Sequence, residues 1–242
     1  METITRKNKI NYIFALALGL FAIFTIIYSG FIDFQLTAII QGFLGLTLSV
    51  LFIVFERKFP FYINNIFFII TTFYAAGAIL GHSFEFYLKI SFYDKILHAF
   101  GGLYFAVIGY YLIQALNKKG NTNLLTKVIF AFIFSVAVSA LWEIFEFSGD
   151  RLFNMDMQKD TYVSSVYSYL LSNNTRPIKA ITDITELNIN GTIVPGYLDI
   201  GIIDTMYDVI SETVGALICS LVLFFDKERH PIFTKKNLSQ PE

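Results

Sequence analysis

The chain has 242 residues, of which 55% are hydrophobic and only 15% charged, with 27 phenylalanines and a formal net charge of −1. Soluble domains run nearer about 45–50% apolar and about 25% charged, so this composition excludes an ordinary soluble domain, a disordered chain and a collagen-like repeat. The near-neutral charge gives no bulk attraction to polyanions, so no nucleic-acid partner is expected. The single cysteine, Cys219, excludes a disulfide scaffold and a thiolate zinc site. What remains is an integral membrane protein.

A membrane-spanning helix needs roughly 20 mostly apolar residues. Six stretches qualify: Ile10 to Tyr28, Leu36 to Phe55, Ile63 to Gly81, Tyr93 to Leu116, Leu125 to Phe147 and Ile202 to Phe225. The first follows Arg6, Lys7 and Lys9, as a signal peptide would. Its apolar run outlasts the roughly 7–15 residues of a signal core, so a retained helix is expected. The predicted fold is an all-α polytopic bundle, read as a single membrane domain.

Lys and Arg in the loops set the orientation. With the N-terminus in the cytoplasm, twelve lie inside: Arg6, Lys7, Lys9, Arg57, Lys58, Lys118, Lys119, Lys127, Lys227, Arg229, Lys235 and Lys236. Six lie outside: Lys89, Lys95, Arg151, Lys159, Arg176 and Lys179. Both termini are therefore expected in the cytoplasm, with His230 solvated on that side.

Residues 148–200 form the one long loop, predicted extracytoplasmic, and loops of that length beside a polar site often work as lids. Thr161 to Leu171 reads as a short amphipathic helix. Asn190-Gly191 stands between partly alternating runs, Ile184 to Ile189 and Thr192 to Leu198, which suggests a hairpin.

The first three spans are almost free of charge; the last three are not. The fourth opens YDKILHAFGG, with Asp94 and His98 four apart on one face. The fifth closes LWEIFEFSGD, with Glu143, Glu146 and Asp150 at spacings of three and four. The sixth opens GIIDTMYDVISETVGA, with Asp204, Asp208 and Glu212 at spacings of four. The topology puts all three groups at the outer end of the membrane. Gly101, Gly102, Gly215 and Ala216 would let the helices that carry them approach closely.

A charge at a helix centre costs about 2.5–3.5 kcal/mol on insertion scales. Seven acids face only Lys95, His98 if protonated, and Arg151 at the rim. Protons or a metal must supply the missing counter-charge. Carboxylates with a histidine suit Mg, Mn, Fe or Zn. The expected ligands are His98, Glu143, Glu146, Asp204 and Asp208, with Asp94 orienting His98. Asp94 and Glu143 are the candidate catalytic groups, acting on a lipid or cell-envelope substrate, with a free carboxylate as general base. Membership of His82, Asp150 and Glu212 stays open, and Glu85 reads as a loop residue.

Other readings stand beside this one. Asp94 and Asp204 also suit helix N-termini, and Trp142 and Tyr93 an aromatic belt. The cluster could be a structural polar network in a non-catalytic envelope-binding protein. It could also serve cation or proton transport, which needs polar groups further in; Gln41, Thr47, Ser49, Gln114, Ser135 and Ser139 are a thin supply.

The runs YDKILHAFGG, LWEIFEFSGD, MQKD (Met157 to Asp160) and IIDTMYDVISETVGA together resemble the YjdF-like family of bacterial integral membrane proteins of unknown function. A more distant likeness is to VanZ-like proteins, which share an Asp-Lys-x-x-His element opening a helix. The resemblance covers roughly the last two thirds of the chain. It implies a multi-pass protein of the bacterial cell membrane and little chemistry.

Overall fold

The fold is that of a computed structural model describing residues 6–58, 61–117, 122–226 and 233–235. Lys118, Lys119, Lys227, Arg229, His230 and Lys236 lie outside the described residues. In chain order the elements begin with helices α1 (Arg6–Phe31) and α2 (Leu36–Lys58), strand β1 (Phe61–Ile63), and helices α3 (Asn65–Ser83), α4 (Phe86–Lys89), α5 (Tyr93–Leu116) and α6 (Leu124–Phe153). Strands β2 (Thr161–Val163) and β3 (Val166–Ser168), a 3-10 turn (Leu170–Ser172), and strands β4 (Lys179–Ile181), β5 (Leu187–Ile189), β6 (Thr192–Val194) and β7 (Tyr197–Asp199) follow. Helix α7 (Ile202–Asp226) and strand β8 (Phe233–Lys235) complete the described chain.

Six of the helices are long and apolar enough to span a bilayer: Lys9–Phe31, Leu36–Val54, Asn65–Ser83, Tyr93–Leu116, Leu124–Phe153 and Ile202–Asp226. Helices are the form an apolar chain must take in lipid, because every backbone N–H and C=O is then satisfied within its own segment. Their outward faces carry large apolar side chains such as Ile13, Leu20, Leu51, Leu141 and Val222, all exposed. Lipid, not water, is the solvent there.

The chain divides into two compact units, Met1–Ser135 with Ser211–Glu242, and Val136–Ile210. In the first unit, small residues and backbone carbonyls make the helix contacts, as expected where lipid tails compete for every apolar face. Ser49 Oγ donates to Ala15 O at 2.6 Å, joining α2 to α1. Tyr93 Oη donates to Gly77 O at 2.8 Å, joining α5 to α3. Ser135 Oγ donates to Gly102 O at 2.8 Å, joining α6 to α5. One apolar core gathers Ala106, Val107 and Tyr110 of α5, Ala131 of α6, and Ala216 and Cys219 of α7.

The tightest approach at a glycine, among the described residues, is between α5 and α7. A Cβ placed on Gly102 would lie 1.9 Å from Glu212 O, and one on Gly215 would lie 1.9 Å from Ala99 O. Both distances are far inside van der Waals contact, so these two glycines set how near the helix axes come.

The second unit holds the far half of α6, the start of α7 and the long loop between them. The loop folds as paired short strands: β2 with β7, β3 with β4, and β5 with β6, all antiparallel. Asn190 and Gly191 join β5 to β6 with φ of 51° and 93°, and Asn188 Oδ1 accepts from Gly191 N at 2.7 Å. The helix expected over Thr161 to Leu171 is not formed. That stretch is β2, β3 and the start of the 3-10 turn. Thr161, Val163, Val166 and the intervening tyrosines prefer an extended backbone, and each strand finds a partner there, Tyr162 opposite Leu198 and Tyr167 opposite Ala180.

Candidate functional site

Within the first unit the polar centre is His98. It stands on α5, one turn after Asp94, and is buried among helices. Two carboxylates flank its ring. Asp94 Oδ1 is 3.7 Å from Nε2, and Glu212 Oε2 of α7 is 3.5 Å from Nδ1. Lys95 Nζ lies 3.8 Å from the other Asp94 oxygen, Oδ2.

Glu212 reaches His98 because α5 and α7 nearly touch at Gly102. Gly101, one residue earlier, keeps the space beside it open: a Cβ there would stand 3.2 Å from Tyr74 Oη and 3.8 Å from Glu212 Cδ. The second carboxylate oxygen, Glu212 Oε1, is buried and accepts no hydrogen bond among the described residues. A buried anion in that position is stable only with a cation or a proton close by.

In the second unit the carboxylates line the buried faces of α6 and α7. Glu143 and Glu146 are both buried, at the spacing that stacks side chains on one face. Glu146 Oε1 accepts the indole N–H of Trp142, one turn back, at 2.8 Å. Asp204 and Asp208 are buried along α7, one turn apart. The loop ties down the rim. Asp150 Oδ1 and Oδ2 accept the backbone N–H groups of Met157 and Gln158, at 2.6 and 3.0 Å. Asp204 Oδ2 accepts Lys159 N at 3.1 Å. Gln158 Nε2 donates to Thr205 Oγ1 at 2.5 Å and to Glu143 O at 3.5 Å.

These contacts sort the residues that the sequence left open. Glu212 touches His98. Asp150 anchors the loop through two amides. His82 stands edge-on to Tyr87, with ring centroids 4.9 Å apart, and Glu85 pairs with Lys89 at 3.0 Å in an exposed i, i+4 bridge. Two participants carried no signal that sequence reasoning used: Tyr74, one tyrosine among many in an apolar helix, and Gln158. Gln158 lies in the MQKD run that contributes to the family resemblance, which was the available pointer.

One Asp160 carboxylate marks the charge balance of the loop rim. Partial burial pushes its pKa up, the carboxylates of Asp156, Asp150 and Asp199 push it further, and Arg151 pulls it down.

Six apolar helices with ionisable groups buried along three of them define a polytopic protein embedded in a lipid bilayer. The chain belongs to the family described as "Predicted membrane protein (DUF2238)", which it matches over residues 13–229. This agrees with the resemblance to YjdF-like membrane proteins. An "Uncharacterized protein" of Thermotoga maritima is 35% identical over 99 residues, which are 38% of this chain and 50% of that protein. The match thus spans about half the length of that relative. No solved structure matches the chain.

Proposed function

We propose that the protein binds a divalent cation at the membrane end where α5 and α7 begin, and that this end faces outward across a bacterial cell membrane. The observation that carries the reading is His98: a buried imidazole with a carboxylate at each nitrogen, in a chain that buries four further acids on α6 and α7. The fit of an ion is supported by the donor set. Nitrogen and carboxylate oxygens suit Mn, Fe or Zn, and Mg less well. The 3.7 Å between His98 Nε2 and Asp94 Oδ1 is near the ligand-to-ligand spacing of about 3.4 Å that follows from bonds of about 2.1 Å in a tetrahedral site.

In this assignment Glu212 holds Nδ1 and fixes the ring, the part that carboxylates commonly play behind a metal-binding histidine. That leaves Nε2 on the side of Asp94. Helical continuity then suggests Asp208: it lies one turn before Glu212 on the same face of α7. Asp94 and His98 are the ligands assigned in the first unit, and Asp208, Asp204, Glu143 and Glu146, buried in the second, are the further acids that the sequence spacing offers. Such an ion supplies Lewis acidity toward a phosphoryl or carbonyl oxygen. In this reading Glu143 is the general base toward a lipid or cell-envelope substrate.

A transport role is less well supported. The buried face of α6 continues inward from Glu143 through Ser139 and Ser135, but it ends at Ala131, and the Ser135 hydroxyl is committed to Gly102 O.

The test is elemental analysis of detergent-purified protein, wild type beside Glu143→Gln/Asp208→Asn and His98→Gln, with size exclusion as the check on folding. Stoichiometric Fe, Mn or Zn in the wild type, lost in variants that still run as folded protein, is the expected result. No bound metal in the wild type, even after reconstitution with each ion, overturns the reading.

A further inference from the structure

The second unit contains a cleft of about 430 Å³ between the end of α6 and the start of α7. Its walls include Ile144 and Phe147 from α6 and Ile202 from α7, and all three are more than half exposed. These are positions within candidate membrane spans, so what they are exposed to is lipid. The floor is polar: Glu143, Thr205 and Gln158.

At the mouth stands Arg151. Its guanidinium lies 5.5 Å from the Phe147 ring centroid. No carboxylate comes within ion-pair distance of it among the described residues, although acids are plentiful nearby. Helix α6 has 30 residues, roughly 45 Å at 1.5 Å per residue. That exceeds a hydrocarbon core of about 30 Å. Its last turn, with Arg151, therefore reaches the depth at which lipid phosphates lie.

From these observations we infer that the cleft is a binding site for an aminophospholipid of the adjoining leaflet, with its phosphate on Arg151 and an acyl chain along Ile144, Phe147 and Ile202. A guanidinium presents paired N–H donors suited to phosphate oxygens, and stacking on Phe147 holds the plane in place. The apolar walls offer the chain a groove continuous with the bilayer. The headgroup choice follows from the remaining charge. Asp150 stands at the rim, where its carboxylate holds the backbone N–H groups of Met157 and of Gln158, a residue of the cleft, and Asp156, Asp160 and Asp199 add acids to the same loop. A purely anionic headgroup meets repulsion there, while an ammonium next to the phosphate satisfies both signs. The inference rests on the proposed function for any reaction at Glu143, but binding itself requires no metal.

The experiment is native mass spectrometry of the full chain released from nanodiscs of equal phosphatidylethanolamine and phosphatidylglycerol. Wild type is set beside Arg151→Gln, Arg151→Lys and Ile144→Trp, each run with and without chelator and each checked by size exclusion. The wild type should retain one phosphatidylethanolamine per chain. Arg151→Gln should reduce that retention at least tenfold, Arg151→Lys by less, and Ile144→Trp should reduce it by filling the groove while leaving the arginine in place. Retention that is equal in wild type and Arg151→Gln, or that shows no preference between the two lipids, means ordinary annular lipid and overturns the inference. The chelator arm separates the two proposals. Arginine-dependent retention in protein without metal sustains the lipid site while the metal reading falls. Bound metal with arginine-independent retention does the reverse.

Discussion

Substituting Gly102 by alanine tests the close approach of α5 and α7. The added Cβ would lie 1.9 Å from Glu212 O and 2.8 Å from Ala216 N, both backbone atoms of α7. An ordinary Cβ contact begins near 3.4 Å, so α5 and α7 must separate by about 1.5 Å. Neither atom can swing aside, since each belongs to a helical backbone, and the strain must be taken up by moving a helix. Overpacking of this kind costs typically about 1–3 kcal/mol, which is roughly a 5- to 150-fold change in the unfolding equilibrium at about 1.4 kcal/mol per tenfold. The same displacement would draw Glu212 from His98, now 3.5 Å away. Gly101→Ala is the control, because the tightest contact of its Cβ would be the Tyr74 hydroxyl at 3.2 Å, a side-chain atom that can yield by a few tenths of an ångström. Thermal unfolding of both variants in one detergent, with wild type alongside, is the assay. Gly102→Ala should melt well below the other two. If it melts with the wild type, α5 and α7 do not meet at Gly102 and the account of how Glu212 reaches His98 is wrong.

Three further outcomes follow from the contacts described. Asp150→Ala removes the acceptor for the Met157 and Gln158 amides; hydrogen bonds to a charged group are worth about 1.5–3 kcal/mol, so exchange at those two amides should rise at least tenfold while the α5 amides keep their protection. Ser49→Ala should be mild, near the average of about 0.6 kcal/mol for hydrogen bonds between membrane helices, because Ala15 O keeps its place in α1; a loss several times larger, read from the unfolding midpoint, would contradict this. The raised Asp160 carboxyl sets a pH trend in the loop. The folded loop holds that proton to higher pH than the unfolded chain does, so its stability falls as pH rises from the ordinary carboxylate range through the raised value. Hydrogen exchange of the β2–β7 amides against pH should show that loss in the wild type and little of it in Asp160→Asn. The effect is small, because Asp160 is exposed and screened.

The spans were legible because the bilayer imposes one rule along the whole of a helix, and runs such as Ile10 to Tyr28 depart from it only at positions such as Asn11 and Thr25, which are buried. The buried face of α7 was legible for a related reason. Asp204, Asp208 and Glu212 recur every fourth residue, and only one side of a helix repeats that way. The loop was harder to read. Thr161 to Leu171 satisfies a helical pattern by composition, and what decides its form is pairing with Tyr197–Asp199 and Lys179–Ile181, partners remote in sequence. Gln158 escaped for the same reason: its contacts with Thr205 and Glu143 lie 47 and 15 residues away. Glu212 shared the face of the two aspartates, but its contact with His98 depends on a close helix crossing that no spacing within one helix encodes.

The acids of α7 bear on how this protein is made. Glu212 is ten residues into the helix, roughly 15 Å along it at about 1.5 Å per residue, with two more acids in the turns before it. At about 2.5–3.5 kcal/mol for a charge at a helix centre, α7 is poorly suited to leave the translocon alone for lipid. It is the last described span to be synthesised, when α5 with His98 and the glycine seam is already in place. Insertion of α7 is then an assembly step, in which the helix passes from the translocon onto a waiting partner.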